Sequence, residues 1–294
     1  MTEAVDWRDL SRRAALASHR LVGWIYWDPV GIERYAALGV PDGFGYYVAT
    51  RGASLADGGD GAVTAAFGSI HPGFIAACLD ACRTHTTFAA AAEARDAAVA
   101  EGLRTHVPEV CDGLAALAPD LWDAADSLPV AGRVLYASLR ERPRPADPLL
   151  SAWLAVNCIR EWRGDTHWAI QASEGLDGDV AGVLDGAWRH YPDHWLPRSR
   201  GMDDAALAAA LERLEGRGLA TDGRVDDAGL AYRQELEDRL DDLAAAAWRH
   251  LGVERTEAFL ALVEPVGDRL VARIDATAGP RWMPAARDRQ EVSA

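Results

Sequence analysis

Apolar residues recur along this chain with a helical period far more often than with the alternation of a strand. Leu10, Ala14, Ala17 and Leu21 share one face of a segment starting at Asp6, which predicts a helix through Trp27. Asp28-Pro29 ends it and opens a shorter helix closed by Gly39. Pro41-Asp42-Gly43 is a turn, Gly45 to Thr50 fits a short helix or a strand, and the LADGGDG stretch from Leu55 to Gly61 is a loop. Pro72 suits the first turn of a helix running to about Arg83. Further helices are expected at Thr87–Thr105, from Pro108 with a break or restart at Pro119 to near Leu128, and at Gly132–Arg140. Pro143, Pro145 and Pro148 then interrupt any helix and mark the best internal boundary.

Beyond that boundary, Leu149 to Trp162 is patterned as a buried helix. A helix end is expected at Arg163 to Thr166, followed by a short helix from His167 to Glu174 and a tight turn at Gly175 to Gly178. Helices at Val180–His190 and Asp203–Gly216 come next, the second with Leu207, Leu211 and Leu214 on one face. At Leu219 the period changes. Thr221-Asp222-Gly223 lies between two short apolar pieces, a hairpin signal. A long helix from Asp227 has a seam of Leu236, Leu240, Leu243, Ala247 and Leu251, and another helix follows near Glu254–Val263. A short strand at Arg269–Ile274 and then a disordered polar tail complete the expectation. The fold class read from this pattern is mainly α: a helical N-terminal part (1–142), a C-terminal unit with a hairpin (149–264) and a tail (265–294).

Composition narrows the picture. With 294 residues, 49% of them hydrophobic, the chain can bury a substantial core. It has no apolar run near the ~18 residues needed to cross a bilayer and no secretory signal pattern, so a cytoplasmic location is expected. Cys78, Cys82, Cys111 and Cys158 read as reduced thiols. All 30 basic residues are arginine, and the net charge is −15.

The order leucine-rich helix ending in ERLEGRGL, hairpin, then DDAGLAYRQELEDRLDDLA resembles the multiple-antibiotic-resistance (MarR) type of winged helix. In that type an LT-x-x-G element follows the wing and leads into an arginine-containing helix. Val225 to Gly229 and Arg233 match it here. RGASL (51–55), AFGSIHPGF (66–74) and CIREWRGDTHWAIQASEGLDG (158–178) are similar to an actinobacterial helix-turn-helix family of poorly defined function. Its members carry an R-E-x-R-G-D-x-H segment before the winged helix and a histidine-proline step in the N-terminal half. The similarity spans about residues 15–255, and what it implies is DNA binding, by analogy of fold.

The charges weigh against that implication. Arg198 to Gly218 holds four arginines against Asp203, Asp204, Glu212 and Glu215, a neutral segment. The hairpin region, 219–229, sets Arg224 against Asp222, Asp226 and Asp227. In 230–243, Arg233 and Arg239 face five carboxylates. Phosphate backbones need cations at these places. DNA is therefore a disfavoured partner, membranes are not expected as partners, and a homodimer that gathers arginines from two copies stays open.

The densest polar cluster is Arg160 to His167. Arg160 or Arg163 could fork onto a carboxylate or phosphate, and His167 could move a proton, oriented by Asp165 or Glu161. The plainer alternative is that these groups tie helices together, with Asp165 as a helix cap. His71, between Ile70 and Pro72, reads as a capping or core histidine unless Arg51 and His71 meet Arg163 and His167 in space. Cys78, Cys82 and His85 share a helix face, but small buried cysteines explain them better than a metal. Trp24, Tyr26, Trp27, Tyr46, Tyr47, Trp153, Trp162 and Trp168 are candidates for an aromatic ligand wall, with plain core packing as the commoner use of such residues. The leading expectation is a small organic ligand held between the two parts by Arg51, His71, Arg160, Arg163, Trp162 and Trp168. The alternatives are a ligand-responsive DNA-binding regulator, and an enzyme using His167 with Asp165 or Glu161, with a haem or metal on His71 or His167 as one version. The sequence specifies no cofactor.

Overall fold

The computed structural model describes residues 4–289. Its helices in order are α1 (Trp7–Gly23), α2 (Pro29–Ala36), α3 (Tyr46–Arg51), α4 (Asp60–Phe67), α5 (Pro72–His85), α6 (Phe88–His106), α7 (Pro108–Asp126) and α8 (Val134–Arg140). After the proline-rich segment come α9 (Pro148–Ser173), α10 (Gly178–Trp188), α11 (Trp195–Ser199) and α12 (Asp204–Glu215). An antiparallel hairpin of β1 (Ala220–Thr221) and β2 (Arg224–Val225) follows, with Ala220 opposite Val225. The chain continues through α13 (Asp227–Leu251), α14 (Val253–Val263) and α15 (Gly267–Thr277).

Short polar residues set many of the helix starts. Asp6, Asp28, Thr87, Asp147, Asp177, Asp203 and Asp226 each accept a backbone N–H of the first turn they precede. Each such cap stabilises by about 1 kcal/mol. Pro29, Pro72, Pro108 and Pro148 take first-turn positions, where their missing N–H costs nothing.

The central element is α9, about 39 Å long at 1.5 Å per residue. It packs on α7, α8, α1 and α13. The largest apolar core draws on both sides of the Arg142–Pro148 segment: Leu21, Trp24 and Leu121 precede it, and Trp153, Phe259 and Met283 follow it. A second core gathers Tyr35, Tyr46, Phe67, Ile75 and Leu79 from α2 to α5. A third, of Val180, Leu184, Leu207, Leu214, Leu236 and Leu240, holds α10, α12, the hairpin and α13 together.

Three sequence expectations are corrected. The helix end at Arg163–Thr166 does not exist, and α9 runs through it without a break. Gly164, Asp165 and Thr166 are weak helix formers, but Asp165 and Thr166 are held by tertiary contacts. Asp165 Oδ2 accepts the Tyr136 N–H at 2.9 Å, so it caps α8 rather than a helix of its own. Thr166 Oγ1 donates to Trp162 O at 2.7 Å and accepts from Arg133 Nε at 2.8 Å. A Cβ at Gly164 would meet only ordinary contacts, so packing does not require glycine there. Next, the strand expected at Arg269–Ile274 lies within α15, where Leu270 and Ile274 are fully buried one turn apart. Finally, the chain after it is ordered packing rather than a loose tail, since Met283 and Ala286 enter the main core. Residues 290–294 lie outside the described residues.

Candidate functional site

A cavity of about 720 Å³ lies where α1, α3, the 67–74 segment, α9, α10, α13 and the 282–285 segment converge. Arg51, His71, Arg160, Arg163, His167 and Trp168 all line it, so residues from both sides of the proline-rich boundary meet there. Glu161 stands behind this wall, while Asp165 and Trp162 face elsewhere. Trp162 is buried in the main core and donates its indole N–H to Pro129 O at 2.9 Å.

Close backbone approaches form the seam between the two parts. Gly68 has φ 52, and a Cβ there would fall inside the Trp168 indole. A Cβ on Gly178 would collide with the Gly68 carbonyl. The His71 N–H donates to Arg200 O at 2.8 Å, and Arg200 Nη1 donates to Ser69 Oγ. His71 itself caps α5, its Nδ1 accepting the Gly73 N–H at 3.1 Å. The capping reading of His71 is therefore correct, and the residue also stands at the cavity wall.

One side of the cavity is aromatic. Phe67 and Tyr47 stack with ring centres 5.8 Å apart, Tyr47 and Trp27 at 5.2 Å, and Trp27 and Trp282 lie 6.1 Å apart. Trp195 meets Trp282 edge-on at 5.5 Å. Trp195 and Trp282 were not among the residues singled out from the sequence.

The other side is a network of guanidinium and carboxylate groups. Arg51 forks onto Glu161 at 2.9 and 2.7 Å, donates to Tyr47 Oη at 2.8 Å, and lies over the Phe67 ring. Arg160 also donates to Glu161 and, through Nε, to His19 Nδ1 at 3.0 Å. Burial opposes the Glu161 charge, but Arg160 and Arg51 outweigh it and hold the carboxyl at about 2. Arg163 reaches Glu237 at 2.7 Å and Asp241 at 2.6 Å. Arg233 reaches Asp185 at 2.9 Å and Glu237 at 2.7 Å. Arg189 Nε adds Asp185 at 3.2 Å. For both Asp185 and Glu237, burial is overcome by neighbouring arginines, and both stay below the usual carboxylate range.

Burial, then the nearby Arg233, pushes His167 down to about 4, so it is neutral near pH 7. Among the described residues it makes no hydrogen bond, with Asp165 and Glu161 included. The expected His167–carboxylate dyad is therefore not formed. Burial raises Asp165 to about 7, but its carboxylate is turned to the start of α8. Cys78 and Cys82 are fully buried in the second core, and burial lifts the Cys78 thiol to about 11. No group of three or more His, Cys, Asp or Glu side chains among the described residues could hold a metal ion.

Sequence reasoning missed Arg200, Asp185, Glu237 and His19. A signal existed for one of them. Arg233, Glu237 and Asp241 repeat every four residues beside the buried Leu236, Leu240 and Ala244, so a charged stripe runs along the inner edge of α13.

The face of α12 that the third core leaves outside is Asp204, Ala205, Ala208, Ala209, Glu212, Arg213 and Glu215. Arg213 is tied to Asp177. Glu215 accepts the Gly223 N–H of the hairpin turn at 2.7 Å. Among the described residues no helix is long and apolar enough to cross a membrane. Nothing among curated proteins or solved structures matches the chain at a significant level. Residues 11–277, spanning both parts of the chain and the cavity between them, match a helix-turn-helix family, and the protein belongs to that family.

Proposed function

We propose that this protein binds a small organic molecule in the cavity between its N-terminal helices and its helix-turn-helix unit, on a scaffold that has given up DNA. The observation that carries this reading is the cavity itself. It has an aromatic wall facing a polar one, and its volume falls within the range of about 300–1,000 Å³ usual for ligand sites. The order α10, α12, hairpin, α13 supports a MarR-like winged helix as the scaffold. In such a unit α12 would be the reading helix. Its exposed face offers alanines and carboxylates where base edges and phosphates call for donors and cations. The unpaired cysteines support a reducing, cytoplasmic setting.

Trp27, Trp168, Trp195 and Trp282 line the cavity, so their emission reports occupancy. Titrating the protein with a panel of small aromatic and aliphatic compounds should change tryptophan fluorescence and raise the melting temperature for at least one of them. A panel that moves neither readout would contradict the reading.

Membership in a helix-turn-helix family favours a second reading, a regulator that binds DNA and uses the cavity for its effector. It requires salt-dependent binding to duplex DNA. A gel-shift series over rising salt separates the two readings.

A further inference from the structure

Seven arginines line the cavity. Arg198 is paired with Asp204, and the other six are Arg51, Arg160, Arg163, Arg189, Arg200 and Arg233. Four carboxylates reach those six, Glu161, Asp185, Glu237 and Asp241, and Asp42 also lines the cavity. Six against five leaves an excess of one positive charge in a partly buried place, within a protein of net charge −15. Arg200 is where the excess shows. Among the described residues it has no carboxylate partner, and the one hydrogen bond of its side chain is to the Ser69 hydroxyl. Burial pulls its pKa down, and Asp185 offsets that only in part. Its neighbours add positive charge that is not fully paired. Arg163 Nε and both Nε and Nη1 of Arg233 are sealed from solvent without a partner among the described residues. Arg233 is 2% exposed, and its guanidinium is held over the Trp188 ring. A buried cationic group without a full complement of acceptors is unfavourable, so the wall gains from an acceptor that carries negative charge and reaches Arg200.

We propose that the ligand is a planar aromatic carboxylate. Its acid group meets Arg200, and its ring lies along Tyr47, Trp27 and Trp282. This rests on the cavity being the working site. A guanidinium fork matches a carboxylate in shape as well as charge. The stacked side chains match a flat ring and offer nothing to a second charge. Neutral His167 adds a donor and an acceptor without adding to the positive field. The acidic outer surface does not bar entry, because exposed charges are screened beyond about 8 Å at physiological salt.

The test is calorimetric titration with 2-naphthoate and with its neutral analogue, 2-naphthamide, on the full chain at neutral pH. The carboxylate should bind at one site per chain, about tenfold or more tighter than the amide. Arg200→Gln should lose about that factor for 2-naphthoate and leave the amide unchanged, while Arg200→Lys keeps part of the preference for the acid. Thermal melting of both variants shows that they are folded. An amide that binds as tightly as the acid, or 2-naphthoate affinity unchanged in Arg200→Gln, overturns the anionic assignment and leaves the cavity reading standing. Absence of heat and of any tryptophan emission change with either compound overturns both.

Discussion

Glu161 carries more of this structure than its place behind the cavity wall suggests. Its carboxylate, 1% exposed, is the shared partner of Arg51 and Arg160, which belong to different parts of the chain. Replacing it with glutamine keeps the shape and strands two guanidiniums. Glu161→Gln should cost about 3–5 kcal/mol in urea unfolding at neutral pH. A loss under 1 kcal/mol would mean that water reaches the pair. Asp165, one turn on, behaves in the opposite sense. Its folded pKa of about 7 lies above the unfolded value of about 3.9. Its contribution to stability is fully present below the unfolded pKa and is lost as the pH rises through about 7. Asparagine stays neutral and still accepts the Tyr136 N–H. The melting temperature of Asp165→Asn relative to the native protein should therefore climb between about pH 4 and pH 7 and level off above that. Parallel profiles would show that Asp165 titrates normally.

At the scale of elements, the seam between the two parts depends on glycine. Gly178→Ala would press a methyl group into the Gly68 carbonyl. It should destabilise by about 1–3 kcal/mol, and it should weaken any cavity ligand with it. Gly61→Ala, in α4 with open space around its Cβ, should be neutral or slightly stabilising. An equal cost for both would show that the seam is not under steric control.

The same elements show what was legible in the chain. Helical spacing and Asp, Thr and Pro start signals placed most helices, and Asp222-Gly223 placed the hairpin, because these are local effects. The unbroken α9 was not legible, since the groups that hold Asp165 and Thr166 lie more than 25 residues away in sequence. The strand read into Arg269–Ile274 failed for a related reason. A short apolar run does not distinguish a strand from a helix whose face is fixed by packing on the segment after α1. The meeting of Arg51 and His71 with Arg163 and His167 was an open question in the sequence, raised by the motif segments but not implied by them. Arg200 was out of reach: nothing local marks an arginine of the cavity wall as lacking a carboxylate partner among the described residues.

At the scale of the whole molecule, the family and the charges pull apart. The elements α10, α12, the hairpin and α13 share a core of their own, but the outer face of α12 is acidic and alanine-rich while an excess of positive charge lines the cavity. Gel shifts with duplex DNA should show no complex at about 150 mM salt, where binders relying on phosphate contacts still hold. A complex that weakens steeply with salt would restore the regulator reading. Whether the function lies inside or outside can be read directly by following amide hydrogen exchange by mass spectrometry with and without saturating 2-naphthoate. Protection is expected in the cavity segments 46–51, 67–71, 160–168, 181–189 and 198–201, with 204–226 unchanged. Protection confined to 204–226, or none anywhere, would contradict a working site in the cavity.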